Sequence, residues 1–228
     1  MKLIRNAWTI ALLCLGVSGF AQSEFEEELG VWYGLNTSHR ISDNFSINTV
    51  AQVRTYELAS ELERFTVLIG GRYQISERVN VAGGYRYFKV DPSYLGDSPP
   101  DFDEHRIFEE VNLNSNLGKV RFDHRLQMEH RFFDFETGSD ADSWIRYRIK
   151  LSHPLASGWT IDVWDEFFVL LGEPMFPFNW LGTGISYKPC APVTLRLGYF
   201  ATIREARDFG RMQLDISWKF DWRKKETE

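Results

Sequence analysis

The chain has 228 residues, of which 43% are hydrophobic, 15% aromatic and 25% charged, and its formal net charge is −6 at pH 7. The acidic balance, 32 Asp and Glu against 26 Lys and Arg, argues against nucleic acid as a partner. The two cysteines, Cys14 and Cys190, allow one internal disulfide at most.

Residues 1–21 have the pattern of a secretory signal peptide. Lys2 and Arg5 precede an apolar stretch, and small residues near Ala21 suit a cleavage site. The apolar stretch is shorter than the roughly 20 residues that a membrane-spanning helix needs. Cleavage after Ala21 would leave Cys190 as the single cysteine, so we expect no internal disulfide.

Beyond residue 21 the dominant pattern is alternation of apolar and polar side chains, in blocks of roughly 10 to 14 residues. The clearest blocks are 45–57, 64–75, 79–90, 120–133, 143–152, 193–204 and 211–222. A soluble β-sandwich also alternates, but its strands average about 5–6 residues, whereas a tilted strand that crosses a bilayer has about 9–11. A closed barrel satisfies every backbone group in lipid. The pattern therefore predicts an all-β fold, a transmembrane antiparallel up-and-down β-barrel.

Short and long connections alternate along the chain. Short turns are predicted at 41–44, 76–78, 118–119, 156–158 and 189–192, and longer loops near 58–63, 91–104, 134–142, 172–178 and 205–210. Outer-membrane barrels have short periplasmic turns and long external loops. Loop 91–104 carries three of the eight prolines and is the best candidate for an exposed functional loop.

Eleven strands are clear in the sequence, whereas bacterial single-chain barrels have even numbers. A weak first strand within 22–30 would make twelve, so we expect about twelve strands, with ten as the alternative. The predicted organisation is a signal peptide at 1–21, an outer-membrane barrel at 22–222 and a short charged tail at 223–228.

Tryptophans fall near both ends of the predicted strands. Trp144 and Trp180 lie at loop-side ends, and Trp159, Trp218 and Trp222 at turn-side ends. Indole rings favour both membrane interfaces, so we expect two aromatic belts. The alternating aromatics of the last strand are similar to the C-terminal signal that barrel-insertion machinery recognises.

The polar face of the strands carries an excess of cations. We call its main members the lumen charge ladder: Arg54, Arg72, Arg86, Arg121, Arg125, Glu129, Arg131, Arg146, Arg148, Glu166 and Arg196. In an open lumen these cations would favour anions, as basic rings do in other pores. In a closed lumen, arginine–carboxylate pairs would brace a narrow barrel, and both interpretations stay open.

A few polar residues do not fit the lipid side of the alternation on which they fall, namely Glu109, His124, His130 and Asp165. A bulge near Asp165 could turn it inward, or it could mark a protein contact. Some outer-membrane barrels are lipid-modifying enzymes with a Ser–His–acid site, but no G-x-S-x-G motif accompanies any histidine. We therefore expect no enzyme activity, no catalytic residue, no metal site and no cofactor.

The chain resembles the uncharacterised outer-membrane family catalogued as domain of unknown function 2490, from about residue 30 to the final "LDISWKF". The similarity lies in the order of short motifs along nearly the whole chain. They are "GVWYGLNTSHRISDNFSI" with Trp32, "AQVRTYE" with Arg54, "GGYRYF" with Arg86, "LQMEHRFF" with Glu129 and Arg131, "WIRYRIKLS" with Arg146 and Arg148, and "WDEFFV" with Glu166. The resemblance implies a single-domain outer-membrane barrel without an assigned activity or catalytic residues.

The sequence thus predicts a monomeric integral barrel in the outer membrane of a Gram-negative bacterium. Its expected partners are membrane lipid, the barrel-insertion machinery and a small anionic solute. The expected role is a small anion-preferring diffusion pore or a plugged structural barrel. The alternatives are a lipid-modifying enzyme with a site at the rim, and an adhesion or assembly component acting through the acidic loops 91–104 and 134–142.

Overall fold

The computed structural model describes residues 30–93, 100–172, 178–203 and 209–223. The predicted signal peptide, most of the suggested extra strand at 22–30 and most of the tail lie outside the described residues. Among the residues described, no helix is long and apolar enough to span a membrane.

The described residues form eleven strands that close into one barrel. The strands are β1 (Gly30–Arg40), β2 (Phe45–Thr55), β3 (Leu62–Gln74), β4 (Val79–Val90), β5 (Phe102–Leu117), β6 (Val120–Phe135), β7 (Gly138–Ala156), β8 (Trp159–Leu171), β9 (Phe178–Cys190), β10 (Val193–Ile203) and β11 (Phe209–Asp221). The prediction of a closed all-β barrel is confirmed, with eleven strands where about twelve were expected.

Each strand pairs antiparallel with its neighbours in sequence, and the barrel closes where β11 meets β1. That last pairing is parallel, with Gly30 beside Arg211 and Arg40 beside Asp221. Up-and-down connection reverses direction at every strand, so an odd number brings the first and last strands together in the same direction. The antiparallel prediction therefore holds for every seam except the closing one.

The two ends of the barrel differ, and we call them the turn rim and the loop rim. Short connections such as 41–44 and 118–119 join strands at the turn rim, whereas β2 ends and β3 begins at the loop rim, as do the end of β4 and the start of β5. β1 begins at the loop rim, and β11 ends at the turn rim.

The prediction of a loop at 134–142 is wrong. β6 extends to Phe135 and β7 begins at Gly138, so only residues 136–137 form the turn between them. The polar residues of 134–142 suggested a loop, yet they pair across the hairpin: Arg131 lies 3.2 Å from Asp142. The rings of Phe102 and Phe135 also pack beside this hairpin, with centroids 4.9 Å apart.

The wall is apolar outside and charged inside. Leu35 and Ile216 on the outer face are 46% and 47% exposed, whereas Glu129 on the inner face is 2% exposed. A water-soluble domain has the opposite distribution. The alternation at period two thus produces an outer surface of large aliphatic and aromatic side chains around a polar interior.

Candidate functional site

The interior holds two adjoining cavities, one of about 750 Å³ towards the loop rim and one of about 360 Å³ towards the turn rim. Every residue of the lumen charge ladder lines at least one of them. The loop-side cavity is lined by Arg54, Glu129, Arg131, Arg146, Glu166 and Arg196, the turn-side cavity by Arg72 and Arg121, and both by Arg86, Arg125 and Arg148.

Buried carboxylates brace one side of the barrel, from β4 to β8. Glu129 accepts hydrogen bonds of 2.7 Å from both Arg106 and Arg146. Glu166 lies 2.6 Å from Arg146 and 2.5 Å from Arg125. Because Arg146 joins the two carboxylates, the three adjacent strands β6, β7 and β8 share one ionic network. Part of the ladder therefore forms the structural lattice that the closed-lumen interpretation requires.

A second, smaller cluster involves side chains from β7, β8, β10 and β11. Asp162 is 2.9 Å from the Arg196 guanidinium and 3.5 Å from the Lys150 ammonium. Arg196 also donates a 2.8 Å hydrogen bond to Gln213 on β11. This cluster ties β7 and β8 to β10 and β11, because the Arg196 guanidinium lies over Gly184 of the intervening strand β9.

Two arginines that line the loop-side cavity stand apart from these networks. Among the described residues, neither Arg54 nor Arg148 forms an ion pair with a carboxylate. Arg54 donates a 2.6 Å hydrogen bond to Gln52, and the Nε of Arg148 has no hydrogen-bond partner in the described part of the chain. The Arg148 guanidinium thus keeps at least one donor beside the cavity that no described residue accepts.

The two cavities meet at a cationic junction, which we define by the charged residues that line both of them: Arg86, Arg125, Arg148 and Lys150. Val50 completes the shared lining. No carboxylate lines both cavities within the described residues. A solute that moves from one cavity to the other therefore passes four cationic side chains.

An aromatic wall forms one side of the loop-side cavity. The ring of Trp32 lies 4.7 Å from that of Phe200 and 5.3 Å from that of Trp180, centroid to centroid. Trp164 joins the same buried cluster, and Gly182 leaves room for it, because a Cβ at that position would overlap the indole ring. We call Trp32, Trp164, Trp180 and Phe200 the aromatic wall.

The predicted loop-side belt of Trp144 and Trp180 is not formed by those residues, because both line the loop-side cavity. Their outward neighbours in the alternation are aliphatic, Ile145 and Leu181. At the turn rim, Trp159 and Trp218 are exposed on the outer face as expected. The sequence indicated that these tryptophans lie near strand ends. Whether a tryptophan side chain points into the lumen or to the outer face depends on its place in the alternation of the strand.

Hydrogen-bond donors lie beside the aromatic rings of the loop-side cavity. The indole Nε1 atoms of Trp32, Trp144 and Trp180 are buried and have no hydrogen-bond partner among the described residues. The Arg54 guanidinium lies over the Trp32 ring, 3.6 Å from its centroid. Such a contact combines an apolar surface with a charged donor group.

Tyr56 stands at the loop-side mouth of this cavity. Burial raises the pKa of Tyr56 to about 12, and the nearby carboxylate of Glu63 contributes in the same direction. The phenol is therefore neutral at ordinary pH and remains a hydrogen-bond donor.

The four polar residues that broke the alternation, Glu109, His124, His130 and Asp165, remain on the outer face. Asp165 accepts hydrogen bonds from Asn179, and no register shift interrupts β8 at this point, so the suggested bulge is absent. His124 lies 2.8 Å from the Tyr147 hydroxyl. Each of these polar groups thus has a partner on a neighbouring strand.

His130 has two partners on the outer face. Its Nδ1 lies 3.1 Å from the Ser143 hydroxyl, and its Nε2 lies 3.4 Å from a Glu109 oxygen. Sequence reasoning identified His130 and Glu109 as misfits but missed Ser143, because only the pairing of β6 with β7 brings the serine to the histidine. No cluster suited to a metal ion occurs in the part of the chain that the structure describes.

Together, the fold and the interior define a closed β-barrel with an arginine-rich, partly aromatic lumen. The chain belongs to the family described as "Protein of unknown function (DUF2490)", whose model matches residues 29–213. The predicted membership is therefore confirmed.

No curated protein sequence matches the chain. Among solved structures, it is similar to a porin refined at 1.8 Å resolution, with 11% identity and a TM-score of 0.37. That alignment covers 74% of this chain and 57% of the porin chain.

Proposed function

We propose that the protein is an integral barrel of the bacterial outer membrane whose lumen admits small anions. The apolar outer face supports a lipid environment, because a barrel with polar interior and apolar exterior suits a bilayer. The observation that carries the function is the cationic junction, where four cations and no described carboxylate line both cavities.

The charge balance at the junction supports a pore more than a braced plug. Three of the four junction cations have a carboxylate within ion-pair distance: Arg86 pairs with Glu129, Arg125 with Glu166 and Lys150 with Asp162. Arg148 has no such partner among the described residues, and the excess of positive charge therefore rests on it. Rings of basic side chains select anions in other pores, and low-dielectric walls strengthen the field of such charges. A lattice that served only to brace the wall would not require this unpaired guanidinium.

The test is the single-channel conductance of the refolded protein in a planar bilayer under a salt gradient. The expected result is steady conductance with a reversal potential that indicates anion preference, lost or inverted in Arg148→Glu. Arg121→Glu, near the turn rim and outside the junction, should retain the preference. Silence from demonstrably folded protein would contradict the proposal and favour the plugged structural barrel.

A second candidate function, ester hydrolysis at the outer face, is favoured by Ser143, His130 and Glu109. A serine hydroxyl, a histidine and a carboxylate in contact are the parts of a nucleophile with its base. Ser143 would attack an ester carbonyl carbon while His130 takes its proton and passes it to the leaving alcohol, and water would then hydrolyse the acyl-serine. This function ranks second because β7 pairs with β6 and β8 on either side of Ser143, which uses backbone N–H groups that could otherwise stabilise an oxyanion.

A fluorophosphonate probe tests this second function, because it reacts covalently with an activated serine. Labelling at Ser143 that disappears in His130→Ala, with matching loss of phospholipid hydrolysis, would support it. Ser152→Ala, on the same strand but on the inner face, is the control and should change nothing. Absence of labelling in folded wild-type protein would eliminate this candidate.

A further inference from the structure

The loop-side cavity is lined by aromatic rings and by guanidinium groups. A pathway for inorganic ions needs the cationic groups but not the aromatic surface. One side is the aromatic wall, and guanidinium groups from β2 to β7 face the same space. A cavity of about 750 Å³ falls within the roughly 300–1,000 Å³ typical of small-molecule sites. Such sites are mostly apolar, with a few polar groups that fix the orientation of the ligand.

The apolar half of the cavity is extensive. The aromatic wall continues into Phe168, whose ring lies 4.5 Å from that of Trp180, centroid to centroid. Phe178 stacks on Phe168 at 4.4 Å, and Phe178 also lines the cavity. Small hydrated anions gain nothing from such a surface, whereas a flat organic group buries its own apolar area against it.

The polar half places a cation at the edge of the aromatic wall. Arg54 lies over Trp32, and its guanidinium group has no carboxylate partner among the described residues. Guanidinium groups bind carboxylates through paired, charge-assisted hydrogen bonds. The Nε1 of Trp32, which is buried without a partner in the described chain, is a further donor in the same region.

We propose that the loop-side cavity binds organic anions with an aromatic body, whose acidic group pairs with Arg54 while the ring packs on the aromatic wall. This inference rests on the proposed pore, since the cavity is the loop-side vestibule of the same lumen. It adds a chemical class of solute, aromatic carboxylates, and a place where the solute rests before it reaches the cationic junction.

Binding of 2-naphthoate to the refolded full-length protein, measured by isothermal titration calorimetry, tests the proposal. Two matched probes separate its parts: 2-naphthamide keeps the rings without the charge, and acetate keeps the charge without the rings. Both should bind at least about ten-fold more weakly than 2-naphthoate. If acetate binds as tightly as 2-naphthoate, the aromatic wall does not select the ligand and the inference is wrong.

Variants locate the site. Arg54→Gln should weaken 2-naphthoate binding about ten-fold and leave 2-naphthamide unchanged, and Arg54→Lys should restore part of the affinity. Trp180→Leu should weaken both naphthyl probes, whereas Trp218→Leu, on the outer face at the turn rim, should weaken neither. Near-ultraviolet circular dichroism verifies that each variant is folded, and unchanged binding in folded Arg54→Gln would overturn the assignment.

Conductance measured on the same preparations separates this inference from the proposed pore. Anion-selective conductance without any 2-naphthoate binding would refute the site and leave the pore standing. Binding of 2-naphthoate that depends on Arg54, in a protein that does not conduct, would refute the pore and retain the site.

Discussion

Among the residues that the structure describes, the Glu129 carboxylate has the largest number of ion-pair partners in the lumen, three arginines. Its two oxygens lie 2.7 Å from nitrogens of Arg106 and Arg146, and Arg86 follows at 3.6 Å. Its side chain is almost fully buried. Three guanidinium groups from three strands thus share one carboxylate. Without it, Arg86 would keep no ion pair among the described residues, whereas Arg106 and Arg146 would keep Glu104 and Glu166.

We expect Glu129→Gln to destabilise the barrel by about 3–5 kcal/mol, the usual effect of removing one partner of a buried ion pair. Asp123→Asn is the control, because its partner Arg121 is about half exposed and such pairs contribute about 0–1 kcal/mol. Urea titration of the free energy of unfolding in lipid vesicles is the measurement. Equal losses for the two variants would show that the network does not brace the wall.

The sequence could assign these side chains to the inner face but could not pair them. Alternation at period two places Arg125 and Glu166 on the polar side of their own strands. Their contact joins residues that are 41 positions apart in sequence, and it depends on the register of β6, β7 and β8. Gln127 illustrates the same limit, because it faces inward as expected yet is 1% exposed, without hydrogen-bond partners for its amide among the described residues.

At the scale of elements, strand length and facing were predictable where alternation is regular. β8 keeps Trp164 and Glu166 inside and Asp165 outside without a bulge. Polar composition misled the prediction at 134–142, because cross-strand pairs can hold charged residues in a hairpin as well as a loop can expose them. The extra strand suggested for 22–30 came from the usual even strand number and not from any alternating block.

Adjacent residues of β1 provide a direct test of facing. Leu35, near the middle of the strand, is on the outer face, whereas Asn36 lines the loop-side cavity. For the proposed outer-membrane barrel, we expect Leu35→Arg to impair membrane assembly strongly, because arginine on a lipid-facing surface costs about 2–4 kcal/mol near the bilayer midplane. Asn36→Arg should assemble nearly as well as the wild type, since Asp215 lines the same cavity. The folded fraction after refolding into vesicles is the measurement, and equal impairment would contradict the lipid-facing assignment.

At the scale of the whole molecule, β1 pairs directly with β11, so the described barrel closes with eleven strands and leaves no place for a twelfth between them. Leu35 and Ile216 are paired across this seam, and both side chains are exposed on the outer face. If a further strand stood between β1 and β11, these two residues would be about 10 Å apart, since neighbouring strands are about 4.8 Å apart.

A cysteine cross-link tests the seam. In a Cys190→Ser background, Leu35→Cys with Ile216→Cys should form a disulfide on oxidation, because bridged Cα atoms lie about 4.4–6.8 Å apart. Leu35→Cys with Leu195→Cys is the control, because Leu195 lies one strand further, beside Ile216. The shift in electrophoretic mobility reports the bond, and failure of the first pair would argue against direct closure of β1 on β11.

The parallel seam also affects how the chain could be rearranged. In a barrel with an even number of strands, the first strand begins at the same rim where the last strand ends. A few residues can then join the two termini in a circular permutant. Here β1 begins at the loop rim and β11 ends at the turn rim, so a joining segment would have to run the length of an 11-residue strand, about 36 Å. Fusion partners attached before β1 and after β11 would for the same reason emerge on opposite sides of the barrel.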